Sequence, residues 1–181
     1  MDSEYLVQWF VMRDLKRANA RQRAYEYLEE LGFTVFTPKV WQIVIRQGKK
    51  VLMEIPFIPR LLFVRDCRNR LDPIVEKNPT LQYQWCRHKW RVPMTVPDAD
   101  MERFMLAVTA TSSPRYYLPS EITPQMYNRR IRIVGGSLDG QEGTLVTTRG
   151  SKVKRLLVNL PGLLAVSVEI SCEYIEVVDS D

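Results

Sequence analysis

The sequence contains little of the chemistry on which most enzymes depend. His88 is the single histidine among 181 residues, so a His-dependent triad or a histidine metal cluster would rest on this one side chain. Its neighbours Arg87, Lys89 and Arg91 are cationic, which disfavours protonation of the imidazole and supplies no second metal ligand. We therefore interpret His88 as a surface residue of a basic strand. We expect a protein that acts by binding, with no catalytic residues, no metal site and no cofactor.

Cysteines and long apolar runs are also scarce. The three cysteines, Cys67, Cys86 and Cys172, are odd in number and widely spaced, which fits neither a disulfide framework nor a zinc site. No apolar run approaches the roughly 20 residues of a membrane span. Asp2 and Glu4 stand where a signal peptide would have its basic segment. We expect a cytoplasmic monomer that does not associate with membranes.

Positive charge is concentrated in the first part of the chain. Residues 1–110 hold 18 lysines and arginines against 13 aspartates and glutamates, whereas residues 111–181 hold 8 of each. A basic first part is compatible with a nucleic-acid or nucleoprotein partner. Many soluble domains are mildly basic without such a partner, and this alternative stays open.

Hydrophobic periodicity predicts a mixed α/β domain over residues 1–110. Residues 5–12 form an apolar run typical of a central strand. Apolar positions at helical spacing predict an amphipathic helix over residues 17–31. The other predicted elements are strands at 33–36, 61–64 and 81–90, a helix at 70–78 with Asp72 as N-cap and Pro73 as its first residue, and a helix at 97–110.

A basic β-hairpin is predicted within this domain. β-rich runs at 40–45 and 51–55 flank a short polar segment that contains glycine, a pattern typical of two strands joined by a tight turn. Arg46, Lys49 and Lys50 make the tip strongly basic. These cations would suit a DNA contact, but a solvated tip that charge keeps soluble explains them equally well.

A second basic segment alternates cations with an aromatic residue. Arg87, Lys89 and Arg91 surround Trp90, as in surfaces that bind nucleic acid. This segment is a second candidate nucleic-acid contact.

Prolines mark the boundary between two predicted domains. Residues 111–125 contain three prolines and no sustained period, which predicts a moderately extended linker. Beyond the linker, turn signals separate short β-rich runs, and this pattern predicts a small β-barrel over residues 126–181. The predicted strands are 131–134, 143–147, 154–160, 165–170 and 174–178.

Two segments together resemble a known family. Trp9 and Phe10 in the first strand, and residues 57–64 (FIPRLLFV) after the hairpin, look like signatures of the N-terminal domain of NusG-type transcription elongation factors. Residues 128–145 resemble a KOW motif. Order and spacing agree over nearly the whole chain. The long basic hairpin and the divergent linker look more like the specialised paralogues of the UpxY or RfaH kind.

The resemblance implies an α+β fold with two domains. Residues 1–110 would form an NGN-type α/β sandwich, in which helices flank an antiparallel sheet. Residues 111–125 would be the linker, and residues 126–181 a five-stranded SH3-like KOW barrel. Pro161 and Gly162 interrupt the β-rich stretch 153–170, which argues against the helical form that this domain takes in some RfaH-like factors.

The resemblance also implies a function in transcription. Factors of this family bind the clamp helices of the largest RNA polymerase subunit and oppose the open, paused state. The specialised paralogues promote processive elongation and antitermination on particular long operons, such as those for surface polysaccharides. They would also contact upstream or non-template DNA, and the KOW domain would recruit a partner such as Rho or a ribosomal protein. The alternative is a ribosome-associated or RNA-binding KOW protein, against which the neutral charge of residues 111–181 argues.

Site residues carry over from the resemblance by position. The polymerase-binding face would comprise Arg13, Ile58, Pro59, Leu61 and Phe63. Strand alternation puts Leu61 and Phe63 on one face of the sheet and the residues between and after them on the other, and one of these sets must be core. The KOW loop would comprise Leu138, Asp139, Gly140 and Gly143, whose glycines we interpret as backbone requirements.

Overall fold

A computed structural model describes residues 5–16, 20–87, 89–111, 114–126, 129–147, 152–170 and 174–178. His88, Cys172 and residues 17–19 of the first predicted helix lie outside these ranges. The chain divides into two compact units, residues 1–98 and 99–181. Both are built on antiparallel sheets with few helices, so the α+β class is confirmed. Within the described ranges, no helix combines the length and the apolar character needed to cross a membrane.

The first unit contains seven strands and two α-helices among its described residues. In chain order they are β1 (Gln8–Asp14), α1 (Ala24–Glu30), β2 (Thr34–Phe36), β3 (Lys39–Arg46), β4 (Lys49–Pro56), β5 (Leu61–Asp66), α2 (Arg68–Lys77), β6 (Leu81–Tyr83) and β7 (Thr95–Val96). Strand β1 is central: it pairs antiparallel with β5 on one side and with β6 and β7 on the other, and β2 pairs with β5. Strands β3 and β4 form a separate two-stranded sheet.

Strand β1 is apolar because both of its faces are covered. Phe10 and Met12 point into a core cluster with Leu28 of α1, Leu71 of α2 and Leu62 of β5. Residues 9 and 11, on the opposite face, are also buried. The predicted central strand is therefore confirmed, although residues 5–7 are exposed and precede it.

Helix α1 is much shorter than the predicted helix over 17–31. Asp14, at the end of β1, is buried, and its carboxylate accepts hydrogen bonds from the backbone N–H groups of Ala24 and Lys16, both at 2.9 Å. The Glu26 carboxylate accepts another from the N–H of Arg23 at 2.8 Å. These acceptors satisfy the N–H groups of the first turn, which have no partners inside a helix. A side chain from a neighbouring strand thus helps to set where α1 begins.

Helix α2 also differs from its prediction. It begins at Arg68, so Pro73 lies inside it and Asp72 is not its N-cap. The Asp72 carboxylate instead accepts hydrogen bonds from Arg68 at 3.0 Å and from the Tyr83 hydroxyl at 2.7 Å. Pro73 removes one backbone hydrogen bond, to the carbonyl of Asn69, and the neighbouring Asp72 side chain links α2 to β6 through the Tyr83 hydroxyl.

The second unit holds one six-stranded antiparallel sheet, in the order β13-β9-β10-β11-β12-β8. Its elements are α3 (Asp98–Thr109), which begins at the boundary, β8 (Arg115–Tyr117), β9 (Arg129–Val134), β10 (Glu142–Thr147), β11 (Lys154–Leu160), β12 (Leu164–Ile170) and β13 (Tyr174–Val177). The five strands predicted beyond residue 126 are present, with ends shifted by at most two residues.

The sixth strand comes from residues that the sequence assigned to the linker. Residues 115–117 pair with β12 in the register Ala165↔Tyr117 and Ser167↔Arg115. Tyr116 is buried, and the Tyr117 hydroxyl lies 3.3 Å from the Ser167 hydroxyl. The sequence predicted a moderately extended linker here, but residues 115–117 are a strand of the sheet because Tyr116 and Tyr117 pair with β12.

Strands β10 and β11 approach each other closely at Gly143. A Cβ atom at this position would lie 2.4 Å from the carbonyl oxygen of Leu157 and 2.9 Å from Cδ1 of Leu156. Leu156 and Leu157 are both buried. A side chain larger than hydrogen would therefore force backbone movement in the middle of the sheet.

Gly143→Ala should destabilise the chain by about 2–3 kcal/mol, because overpacking that moves backbone costs about 1–3 kcal/mol. Gly162→Ala is the matched control: φ is +74° but nothing lies within 4 Å of its added Cβ, so only the left-handed backbone should cost, about 1 kcal/mol. Urea unfolding of both variants measures the difference. Equal losses at the two glycines would contradict the close approach.

Candidate functional site

Several residues assigned to the polymerase-binding face lie together at one end of the central strand pair. Arg13 of β1 is directly opposite Leu61 of β5. The N–H of Leu61 donates to the carbonyl of Ile58 at 3.1 Å, which closes a tight turn with Pro59 in its second position. Arg13 and Pro59 are exposed and Ile58 is half-buried. Pairing with β5 and the fixed φ of proline hold these residues in place.

Arg60 belongs to the same surface, although sequence reasoning assigned it no role. It is exposed, and its carbonyl accepts the N–H of Asp14 at 2.9 Å, so the turn is tied to the end of β1. Its position between the proline and the first strand residue of the FIPRLLFV segment was the available signal. We call Arg13, Ile58, Pro59 and Arg60 the strand-end surface.

Leu61 and Phe63 do not contribute exposed area to the strand-end surface. Leu61 is 8% exposed and Phe63 is 0% exposed. Phe63 lies opposite Val11, and its ring centroid is 6.2 Å from that of Phe36. The residues on the opposite face of β5 are also buried, so both faces of β5 are covered. Phe63 therefore supports the strand from within.

The basic hairpin is confirmed, and its tip is tighter than the predicted five-residue segment. Gln47 and Gly48 form a two-residue turn with φ values of 51° and 76°, which are typical of a type I′ hairpin turn. Arg46 is directly opposite Lys49, and Lys50 is opposite Ile45. The three cations are exposed, and residues 42–53 contain no acidic residue. Like charges in opposite positions repel, so the tip offers favourable binding to a polyanion.

One face of this hairpin is apolar and exposed, which sequence reasoning missed. Trp41, Ile43 and Ile45 alternate along β3, and Leu52 is opposite Ile43 on β4. These four side chains are between 61% and 75% exposed. The period-2 alternation is visible in the sequence, but alternation separates the two faces of a strand and does not say which face is covered.

The basic aromatic segment forms a projecting loop between β6 and β7. Trp85 and Pro93 form a β-bridge at its base, and the N–H of Cys86 donates to the carbonyl of Val92 at 2.9 Å. The strand predicted over 81–90 therefore ends at Tyr83, and a turn follows it. Residues 85–87 and 89–91 line an open cavity of about 560 Å³. We call the described residues 85–87 and 89–93 the tryptophan loop.

The residues assigned to the KOW loop shape the turn between β9 and β10. Leu138 is buried. The Asp139 carboxylate accepts the N–H of Gly135 at 2.6 Å, and the N–H of Gly140 donates to the carbonyl of Ile133 at 2.8 Å. Gly140 has a φ of +74°, a conformation that favours glycine. With the close approach at Gly143, this confirms that the glycines meet backbone requirements.

Several ionisable groups are engaged by hydrogen bonds to neighbouring side chains. Hydrogen bonds from Arg132 and Arg130 lower the pKa of the Glu142 carboxyl, with N–O distances of 2.6 and 3.1 Å. Hydrogen bonds from Arg65 likewise lower the pKa of Asp98. Burial, and then the hydrogen bond to Asp72, raise the pKa of the Tyr83 hydroxyl. In the described part of the chain, no group of three or more His, Cys, Asp or Glu side chains could hold a metal ion.

Phe63→Ala should lower the free energy of unfolding by about 3–5 kcal/mol, as expected for a fully buried phenylalanine. Arg13→Ala, at an exposed position beside it, should change stability by less than about 0.5 kcal/mol. Urea denaturation of both variants tests this difference. A Phe63→Ala variant as stable as the parent would place this side chain at the surface.

Comparison with protein families identifies the first unit. Residues 7–105 match the model of the NusG family, described as transcription termination factor nusG. A comparison with curated proteins gave no significant match. The family match covers more than half of the chain and includes β1, the strand-end surface, the hairpin and the tryptophan loop. The chain therefore belongs to the NusG family, whose members are transcription factors of elongation and antitermination and not enzymes.

Proposed function

We propose that this chain binds the clamp helices of the largest RNA polymerase subunit through its strand-end surface and promotes processive elongation. The observation that carries the proposal is the group of exposed Arg13, Pro59 and Arg60 beside half-buried Ile58, which strand pairing and the turn hold together within the family match. An apolar side chain and a proline flanked by two arginines suit a helical partner with apolar and acidic side chains. Phe63 and Leu61 serve this surface by holding β5 in place.

The effect on the polymerase follows from differential binding. A factor that binds the elongation-competent conformation more tightly than the paused conformation shifts the population toward elongation. This requires no catalytic group on the factor. We propose that the chain acts in this way in the cytoplasm, as a monomer and on specific long operons, such as those for surface polysaccharides, like the specialised UpxY and RfaH paralogues.

The hairpin tip supplies a second contact in this proposal, to upstream or non-template DNA. Arg46 and Lys49 repel each other across the turn, and a phosphate between them would relieve the repulsion. Contacts of this kind are electrostatic and independent of base sequence. They would add affinity only when DNA is present in the complex.

We propose that the chain consists of an NGN domain over residues 1–110 and a KOW domain over 126–181, joined by the segment 111–125, which contributes strand β8 to the sheet of the second unit. In this proposal the KOW domain is an SH3-like barrel that recruits Rho or a ribosomal protein. The turn built from Leu138, Asp139, Gly140 and Gly143 supports the KOW assignment. Arg130 and Arg132 are paired with Glu142, so they offer less positive charge to RNA phosphates than their number implies. This favours a protein partner over the alternative of an RNA-binding KOW protein.

Polymerase binding should depend on the clamp helices and on Arg13. The full chain should bind intact polymerase and lose at least tenfold in affinity when the clamp helices are deleted. Arg13→Glu should weaken binding to intact polymerase by about tenfold or more, as for a central interface arginine. Lys77→Glu makes the same charge change on exposed helix α2 and should leave affinity unchanged. Equal affinity for the two polymerases would eliminate the clamp contact.

Neutralising the hairpin tip should weaken binding only where DNA is present. In Arg46→Gln/Lys49→Gln/Lys50→Gln, the slope of log affinity for an elongation complex against log salt concentration should fall by about 2–3, at about 0.9 per lost phosphate contact. Arg129→Gln/Lys152→Gln/Lys154→Gln removes the same charge from exposed positions of the second unit and should keep the parental slope. If the hairpin variant kept the salt slope of the parent, the tip would make no DNA contact and would be only a solvated turn.

A further inference from the structure

We propose that the tryptophan loop is a stacking site for the unpaired bases of a single-stranded nucleic acid. The loop lies outside both surfaces used above, so this inference stands independently of the polymerase contact and of the hairpin contact. The kind of ligand follows from three features of the loop. Its indole rings are exposed, its two ends are anchored to the central strand, and its cations have no acidic residue near them in the sequence.

Two indole rings of the loop are available to a ligand. Trp90 is 86% exposed and Trp85 is 47% exposed. An indole that keeps most of its surface in water contributes little to the hydrophobic core. Large exposed aromatic side chains are instead a common feature of binding surfaces, where their flat faces contact a partner. Both rings border the same open cavity of about 560 Å³, which lies within the usual size range of ligand sites.

The base of the loop is anchored to the central strand. The carbonyl of Val11 accepts the N–H of Gln84 at 2.8 Å, and the N–H of Val11 donates to the carbonyl of Met94 at 2.9 Å. The ring of Trp85 packs edge-on against Tyr83 at 5.8 Å between centroids, and the Tyr83 hydroxyl is held by Asp72. Trp85 is therefore held in place before any ligand arrives, which lowers the entropic cost of binding.

Trp90 is held from one side by its neighbour in the chain. The guanidinium carbon of Arg91 lies 5.6 Å from the centre of the Trp90 ring, within the range of a cation–π contact. Arg91 has a φ of 51°, which is uncommon for a residue other than glycine. This backbone conformation brings the guanidinium to the ring while most of the indole surface remains accessible.

The charge of the loop selects a polyanion. Arg87, Lys89 and Arg91 are exposed and line the cavity with the two tryptophans. Residues 84–97 contain no aspartate or glutamate. Aromatic faces match bases and cations match phosphates, and single strands offer both because their bases are unstacked. A duplex offers only the phosphates, and an acidic peptide offers only the charge.

Oligonucleotide binding by the full chain tests the proposal. The probes are fluorescently labelled oligothymidylate and oligouridylate of about 12 nucleotides, a length within the usual site size, and a duplex of the same length. Fluorescence anisotropy should show at least tenfold tighter binding to a single strand than to the duplex. Tighter binding of the DNA probe or of the RNA probe identifies the strand, and either result supports the site. If neither single strand bound, the proposal would be overturned.

Substitutions locate the binding within the loop. Trp90→Ala should weaken single-strand binding by about 5–100-fold, the usual effect of removing one stacking side chain, and Trp90→Phe should retain most of the affinity. Trp41→Ala is the matched control, because it removes another exposed indole, 64% accessible, from the hairpin. It should leave affinity unchanged. Equal losses in Trp90→Ala and Trp41→Ala would refute a specific site, and so would parental binding by Trp90→Ala.

Charge substitutions and a polymerase assay complete the test. Arg87→Gln/Lys89→Gln should lower the salt slope of single-strand binding by about 1–1.5, at about 0.7 per phosphate contact, whereas an unchanged slope would refute the charge contribution. Trp90→Ala should bind polymerase without nucleic acid as the parent does, so failure of the stacking site is distinguishable from failure of the clamp contact. Circular dichroism should show unchanged folding of Trp90→Ala, because this side chain is almost fully exposed.

Discussion

The first unit depends on the backbone pairing of β1. This strand provides hydrogen bonds to β5 on one side and to β6 and β7 on the other, and both of its faces are buried. Two of the three candidate surfaces are attached to it, whereas the hairpin forms a separate sheet. The strand-end surface lies where β1 ends, and the tryptophan loop is anchored through Val11. Asp14, the last residue of β1, helps to set where α1 begins. A change that shifted the register of β1 would therefore displace both attached surfaces together.

Structural elements that are defined by consecutive residues could be predicted from the sequence. The alternating runs on either side of Gln47 and Gly48 contain both the strands and the turn, so the hairpin could be predicted from about 16 consecutive residues. The five strands predicted beyond residue 126 were equally local, since each is a short run rich in β-branched and aliphatic residues. Elements whose position depends on a residue far away in the sequence were not predicted correctly. The start of α1 depends on Asp14, and β8 exists because Tyr116 and Tyr117 meet β12 about 50 residues later.

The candidate site was partly predictable for the same reason. The resemblance assigned Ile58 and Pro59 from one continuous motif and Arg13 from the end of the first strand, and strand pairing brings the two segments together. It could not decide whether Phe63 is exposed, since alternation separates the faces of a strand but does not say which are covered. Both faces of β5 are covered. The exposure of Trp41 and Trp85 was also beyond prediction, because whether an aromatic side chain is buried depends on which other elements pack over it.

Charge pairing explains why the two parts of the chain differ in what they can bind. In the second unit, Arg130 and Arg132 are paired with Glu142, and buried Arg155 donates to Ser167 at 2.9 Å. In the first unit, Arg68 pairs with Asp72, Arg70 with Asp66 and Arg65 with Asp98. The cations of the hairpin tip and of the tryptophan loop lie instead in segments without acidic residues. Charge placed in this way adds little to folding stability but gives a local positive field. Residues 1–110 therefore present exposed cations in two separate segments without acidic residues, one at a hairpin turn and one beside two exposed indoles.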